Sequence, residues 1–189
     1  DTTIQVWMGL TMGCAKCHSH KYDPITQEEY YRVFAIFNQT ADQDQPDERP
    51  SLPAPTAEMI ARNREIDAKL APLLRLRDSF ALGDEIAALE KARPKPPPVP
   101  VMVELPENQR RVTKLLRKGN FLDPGDPVEP GLPRAFPPLP QDAHADRLGL
   151  ARWLVDPTNP LTARVAVNRI WAQLFGIGLV ETEEDFGTQ

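Results

Sequence analysis

Apolar positions recur at helical spacing in four stretches of the chain. Ile4, Trp7, Met8 and Leu10 predict a short helix over 1–12, capped by Thr2 or Thr3 and ended by Gly13. Tyr30, Val33, Phe34 and Phe37 follow at i, i+3, i+4, i+7 and predict a second helix. Its start is marked twice. Pro24 disfavours a helical Asp23, and Thr26 with Glu29 three residues later is a capping box. From 56 to 92 the stripe runs through Met59, Ile60, Ile66, Leu70, Leu73, Leu76, Phe80, Ile86 and Leu89. A break at Gly83 and Asp84 makes this an antiparallel helical hairpin, with Pro72 as a candidate kink. Two amphipathic helices close the chain, 146–156 and 161–176, split by "PTNP", with Gly176 as C-cap. Strand-like patterning is confined to "VMVEL" (101–105) and "RVTKLLRK" (111–118), read as a small β pair.

The segments between lack periodicity. Residues 39–55 read as an acidic, proline-rich linker in which Asp42, Asp44, Asp47 and Glu48 form a solvated loop. "RPKPPPVP" (93–100) is stiff and extended, and 120–140 is too rich in proline for a regular element. The fold class expected is mainly α: short helices, a helical hairpin insertion, a small β pair, long proline-rich segments and a C-terminal helix pair. The expected division is 1–55, 56–92 (the insertion), 93–145 (strands and bridge) and 146–189, the start of a second, incomplete helical domain. Trp153, Leu154, Val165, Val167, Ile170, Trp171, Leu174 and Phe175 cover more than one face of that last pair. An apolar patch around Trp171 and Phe175 is therefore expected. Asn159, Asn168 and Arg169, embedded among them, read as a polar network that orients the two helices.

Composition narrows the function. The 189 residues are 41% hydrophobic, enough for one moderate core or two small ones. A net charge of -5 argues against nucleic acid as a partner. No apolar run is long enough to span a membrane. With Asp at its start and "EDFGTQ" at its end, the chain reads as a fragment. There is no G-x-S-x-G, Gly-rich phosphate loop or H-E-x-x-H.

The chemistry concentrates in "MGCAKCHSHKYDP" (12–24), which holds both cysteines of the chain. Covalent haem attachment needs two thiols facing one porphyrin edge and a histidine under the iron, and C-x-x-C-H is the signature of that geometry. Cys14 and Cys17 are the candidate thioether anchors and His18 the axial iron ligand, making the expected cofactor covalent haem c. Two readings stand beside it. Zinc could use Cys14, Cys17, His18 and His20, although four ligands within seven residues would wrap the ion badly. A redox disulfide would want a preceding strand in a βαβ setting. His20 reads as an exposed or turn-bonded histidine. Met59, Met102 and His144 are spaced to supply a sixth haem ligand, whereas Met8 and Met12 are too close in sequence. Tyr30, Tyr31, Phe34 and Phe37 read as core at helical spacing. Arg110, Arg111, Lys114, Arg117 and Lys118 form the one basic cluster, read as an exposed strand face. Glu28 and Glu29 read as first-turn helix charges that favour the dipole.

"GLTMGCAKCHSHKYDPITQEEYYRVFAIFN" resembles the cytochrome c-like domain of large secreted proteins abundant in planctomycetes and related bacteria, domain of unknown function 1549. "LARWLVDPTNPLTARVAVNRIWAQLFGIGLVETEEDFGTQ" is similar to the opening of the domain that follows it there, domain of unknown function 1553. "FLDPGDPVEPGLP" looks like the bridge between them. The resemblance implies a fragment spanning a domain junction in an exported protein, periplasmic or on the cell surface. It carries Cys14, Cys17 and His18 over as the haem site. Where the family often has Asp, this chain has Ser19, so any carboxylate role there is absent. The reading is a haem-binding, electron-transferring segment with an unidentified redox partner. The alternatives are a cell-surface binding or structural module, or a metal-assisted enzyme acting on polysaccharide.

Overall fold

The computed structural model describes residues 1–41, 49–75 and 82–187. Among the described residues there are six α-helices, 45% of residues are helical, and two small antiparallel sheets accompany the helices. The chain divides into two compact units, residues 1–40 with 105–189, and residues 41–104.

In the larger unit α1 runs Thr2–Met8 and stops earlier than the periodicity suggests. Gly9 takes a left-handed conformation (φ 60°) and ends the helix, so Leu10 and Met12 are buried from the irregular segment after it. Asp1 occupies the N-cap position in place of Thr2 or Thr3. Its side chain makes no cap bond and accepts the Met12 N–H at 2.7 Å. Helix α2, Gln27–Phe37, begins at the expected capping box. Its buried face differs in detail from the expected stripe: Tyr31, Val33, Ala35 and Ile36 are inside, and Phe34 is exposed.

Glu29 is buried although charged, because its carboxylate is fully engaged. Oε2 accepts from the Thr26 N–H (2.8 Å) and hydroxyl (2.9 Å), and Oε1 from the Arg134 N–H (2.9 Å). Burial pushes this carboxyl up. The bonds from Thr26 and Arg134, with the Arg134 charge, outweigh burial and hold it below the usual range. A depressed folded pKa contributes stability above the unfolded value that is lost as pH falls through the folded one. Glu29→Gln is therefore expected to lower Tm at neutral pH and to flatten its fall on acidification. Parallel acid limbs in the two proteins would contradict this.

Strand β3, Thr113–Leu116, lies within the predicted 111–118 segment, but its partner is unexpected. It pairs antiparallel with β4, Pro124–Val128, inside the stretch read as irregular. In a two-stranded ribbon both strands are edges, so Pro124 and Pro127 fall where a missing N–H is tolerated. Helices α5 (Arg147–Leu154) and α6 (Thr162–Phe175) follow as expected, α6 ending at Gly176 with φ 87°. Asp146 caps α5 through the Gly149 N–H at 2.7 Å. The core joins Ile4, Met8 and Met12 to Val33 and Ile36 of α2 and to Leu150, Trp153 and Leu154 of α5. The two tryptophans grouped by the sequence part here. Trp153 is buried, whereas Trp171 is 39% exposed beside the exposed Ile170, Leu174 and Phe175.

The polar residues among them have local tasks. Asn159 bonds the Trp153 carbonyl (3.4 Å) and the Leu161 N–H (3.1 Å), joining α5 to α6. Asn168 holds both backbone groups of Val180, and Arg169 reaches the Val6 carbonyl at the end of α1.

The smaller unit holds β1 (Ser51–Pro53), α3 (Ala57–Arg75), α4 (Gly83–Lys91) and β2 (Pro98–Pro100). Helix α3 continues through Pro72 to Arg75. Arg93, just past α4, pairs with Asp67 inside α3, so the two helices run back along each other. Leu76 and Phe80, and the acidic residues Asp42, Asp44, Asp47 and Glu48, lie outside the described residues. The strand expected at 101–105 is corrected: pairing with β1 falls on β2, in the segment read as merely stiff. The alternating residues after it spend their backbone groups singly, Val101 N–H on the Pro50 carbonyl (2.9 Å) and the Val103 carbonyl on the Ala41 N–H (2.7 Å).

Candidate functional site

Between α1 and α2, Cys14 sits in a 3₁₀ turn, Gly13–Lys16, and Cys17 follows it directly as its C-cap. Ala15 anchors the turn. Its side chain is fully buried, which leaves the neighbouring Cys14, Cys17 and His18 exposed. The Lys16 carbonyl is held from α2 by the Tyr31 hydroxyl and by Gln27 Nε2, both at 3.0 Å. Gln27 Nε2 also donates to the Leu116 carbonyl at 3.0 Å, tying the turn to β3. Both cysteines are free thiols.

Cys17 has a neighbour a hundred residues away. Lys118 and Gly119 take consecutive left-handed conformations (φ 51° and 71°) after β3. A Cβ at position 119 would stand 2.7 Å from Cys17 Sγ. Only glycine fits this approach without a shift. The hydroxyls of Tyr30 and Tyr31 are pushed up, by burial first.

The two histidines of the motif differ in a way the sequence does not reveal. His18 Nδ1 lies 2.8 Å from the Ser19 carbonyl, which can only accept. Nδ1 therefore carries a proton, and in the neutral ring Nε2 holds the free lone pair. His20 is the reverse. Its Nδ1 accepts the Asp23 N–H at 2.8 Å, which puts the ring proton on Nε2. His20 is nearly buried, in a turn closed by its own N–H to the Ile25 carbonyl (2.8 Å). Its role is the turn-bonded one. The Asp23 carboxylate beside it is buried against Gly187, where a Cβ would overlap it.

The other candidates are scattered. Met8 and Met12 are core residues. Met59 is half-buried, Met102 is exposed, and His144 is exposed. Among the described residues no three His, Cys, Asp or Glu side chains converge as metal ligands. The basic cluster does not form one face. Arg111 binds the Asn38 and Thr40 carbonyls (3.0 Å each), and Arg117 pairs with Asp123 at 3.5 Å. Lys114 lines a cleft with Lys16, and Lys118 sits in the turn beside Cys17. Tyr30, Tyr31 and Phe34 line that same cleft. The sequence missed the Cys17–Gly119 and Asp23–Gly187 approaches, for which the glycines themselves were the only available signal.

Among the described residues no helix is long and apolar enough to cross a membrane. No curated protein and no solved structure matches the chain. Residues 1–42 match the model of a family described as protein of unknown function (DUF1549), and residues 146–189 that of a family described as protein of unknown function (DUF1553). The first match contains the cysteine turn and α2, and the second α5, α6 and the segment that packs on Asp23. The chain thus carries a DUF1549 segment followed by a DUF1553 segment and spans the junction of the two.

Proposed function

We propose that this chain is the c-type haem-carrying, electron-transfer segment of an exported bacterial protein. The observation that carries the reading is the state of His18. A metal-ligating histidine donates its other ring N–H to a carbonyl or carboxylate, which fixes tautomer and ring orientation. His18 does this toward Ser19 and keeps Nε2 available. The donor set fits haem c: two free, exposed thiols with two residues between them, on a turn pinned by Ala15, Tyr31 and Gln27, with that histidine next in sequence. Cys14 and Cys17 would form the thioether bonds and His18 would be the axial ligand. Bound there, the iron supplies a one-electron couple tuned by its axial ligands, burial and nearby hydrogen bonds. His20 takes no part as a ligand in this reading and holds the turn. An extracytoplasmic location, periplasm or cell surface, follows from the resemblance to secreted proteins.

Expressed with a haem-maturation system, the protein is expected to keep haem on a denaturing gel and to show a Soret band. Cys14→Ala or Cys17→Ala alone weakens retention, and the double variant loses covalent haem. A parent protein without haem stain after such expression ends the proposal.

A further inference from the structure

We infer that the cleft beside the cysteine turn is a binding site for a small, flat aromatic anion. The cleft lies between α2 and β3, within the larger unit, and encloses about 390 Å³. That falls in the range of small-molecule sites. Its walls are Tyr30, Tyr31, Phe34 and Leu116, and its charged groups are Lys16 and Lys114. Among the described residues no carboxylate lines it, in a chain whose net charge is -5. Phe34 is 45% exposed at a helix position where the periodicity calls for burial. An aromatic face left open beside two ammonium groups suits a ring that carries negative charge.

The polar groups of the cleft separate an aromatic anion from a sugar. A saccharide presents several hydroxyls, each needing a partner when buried. Here the Asn38 amide is spent on the Thr113 hydroxyl at 2.9 Å, and the Tyr31 hydroxyl on the Lys16 carbonyl at 3.0 Å. Lys16 and Lys114 make no side-chain hydrogen bond or ion pair among the described residues. The cleft thus offers rings and two ammonium charges, and no carboxylate among its described lining to accept from sugar hydroxyls. Lys16 also belongs to the cysteine turn, so an occupant would lie next to Cys17. The inference goes beyond haem attachment and does not depend on it.

A matched pair of dyes tests the inference on the haem-free 189-residue protein. 8-Anilinonaphthalene-1-sulfonate is the anionic probe, and N-phenyl-1-naphthylamine is its neutral counterpart. The anionic dye is expected to bind at a saturable site and to weaken with added salt, the neutral dye to bind more weakly and without salt dependence. Lys114→Glu, at an exposed strand position, should weaken the anionic dye about tenfold or more and leave the neutral one unchanged. Leu174→Ser, on the exposed face of α6, should leave the anionic site intact. Equal binding of both dyes, an unaffected Lys114→Glu variant with native circular dichroism, or loss of the site in Leu174→Ser would each overturn the inference. Exclusion of the dye by covalently attached haem would make the porphyrin the occupant and overturn the claim of a free ligand. Failure of haem attachment leaves the dye titration untouched, so the two proposals fail separately.

Discussion

Trp153→Ala is expected to destabilise the larger unit by about 3–5 kcal/mol, the usual range for truncating a buried tryptophan. Trp153 is 3% exposed and joins the core residues of both family segments, those of 1–42 and those of 146–189. Its indole packs edge-on to Phe136, with ring centroids 6.3 Å apart, and Nε1–H donates to the Pro137 carbonyl at 2.7 Å. Truncation leaves a cavity and a carbonyl without its partner, against a total stability of roughly 5–15 kcal/mol for an ordinary domain. Trp153→Phe keeps most of the packing and loses the hydrogen bond, so it should cost about 1–2 kcal/mol. Urea unfolding followed by far-UV circular dichroism gives the order. Hydrogen exchange adds a sharper test, because α2 shares this core without being near residue 153 in sequence. Amide protection of 27–37 should fall with that of 147–154. If only α5 loses protection, the two family segments do not fold as one unit.

What the sequence reveals and what it hides follow from how far each determinant lies along the chain. The start of α2 is legible because Thr26 and Glu29 satisfy each other within one turn. The end of α6 is legible because Gly176 needs nothing but its own freedom at positive φ. Gly9 is just as decisive for α1. The apolar period continues through Leu10 past it, and only distant side chains reveal that the helix must stop there. Strands β2 and β4 are invisible for the same reason. Their prolines argue against a strand locally, and each is specified by a partner strand.

The candidate site divides along the same line. Cys14, Cys17 and His18 lie within five residues, so a candidate site can be proposed from spacing alone. The opposite tautomers of His18 and His20 come from hydrogen bonds that only the folded turn makes. The cleft could not be read at all. It needs Phe34 turned outward from the face where periodicity places it, and Lys16 brought to Lys114 across nearly a hundred residues. The basic cluster shows the converse error. Five cations close in sequence look like one surface, yet Arg111 and Arg117 are drawn into separate local contacts.

Gly9→Ala is expected to cost the larger unit about 2–5 kcal/mol, and a second glycine provides the reference that separates its causes. Gly9 has φ +60°, where an L-residue pays about 1–2 kcal/mol. A Cβ there would also stand 2.8 Å from Phe186 Cδ2 and 3.0 Å from Val165 Cγ2. Neither neighbour gives way easily. Val165 is 1% exposed, and Phe186 is tied to the same residue by its N–H to the Gly9 carbonyl at 2.5 Å. Overpacking of this kind adds about 1–3 kcal/mol. Gly176 has φ +87° and nothing within 4 Å of its would-be Cβ, so Gly176→Ala pays the conformational cost alone. All three tryptophans, Trp7, Trp153 and Trp171, lie in the larger unit, so fluorescence-detected unfolding reports on that unit without interference from 41–104. The excess of Gly9→Ala over Gly176→Ala measures how firmly the segment around Phe186 is pressed onto the end of α1. Equal costs for the two would mean that it is not pressed there at all.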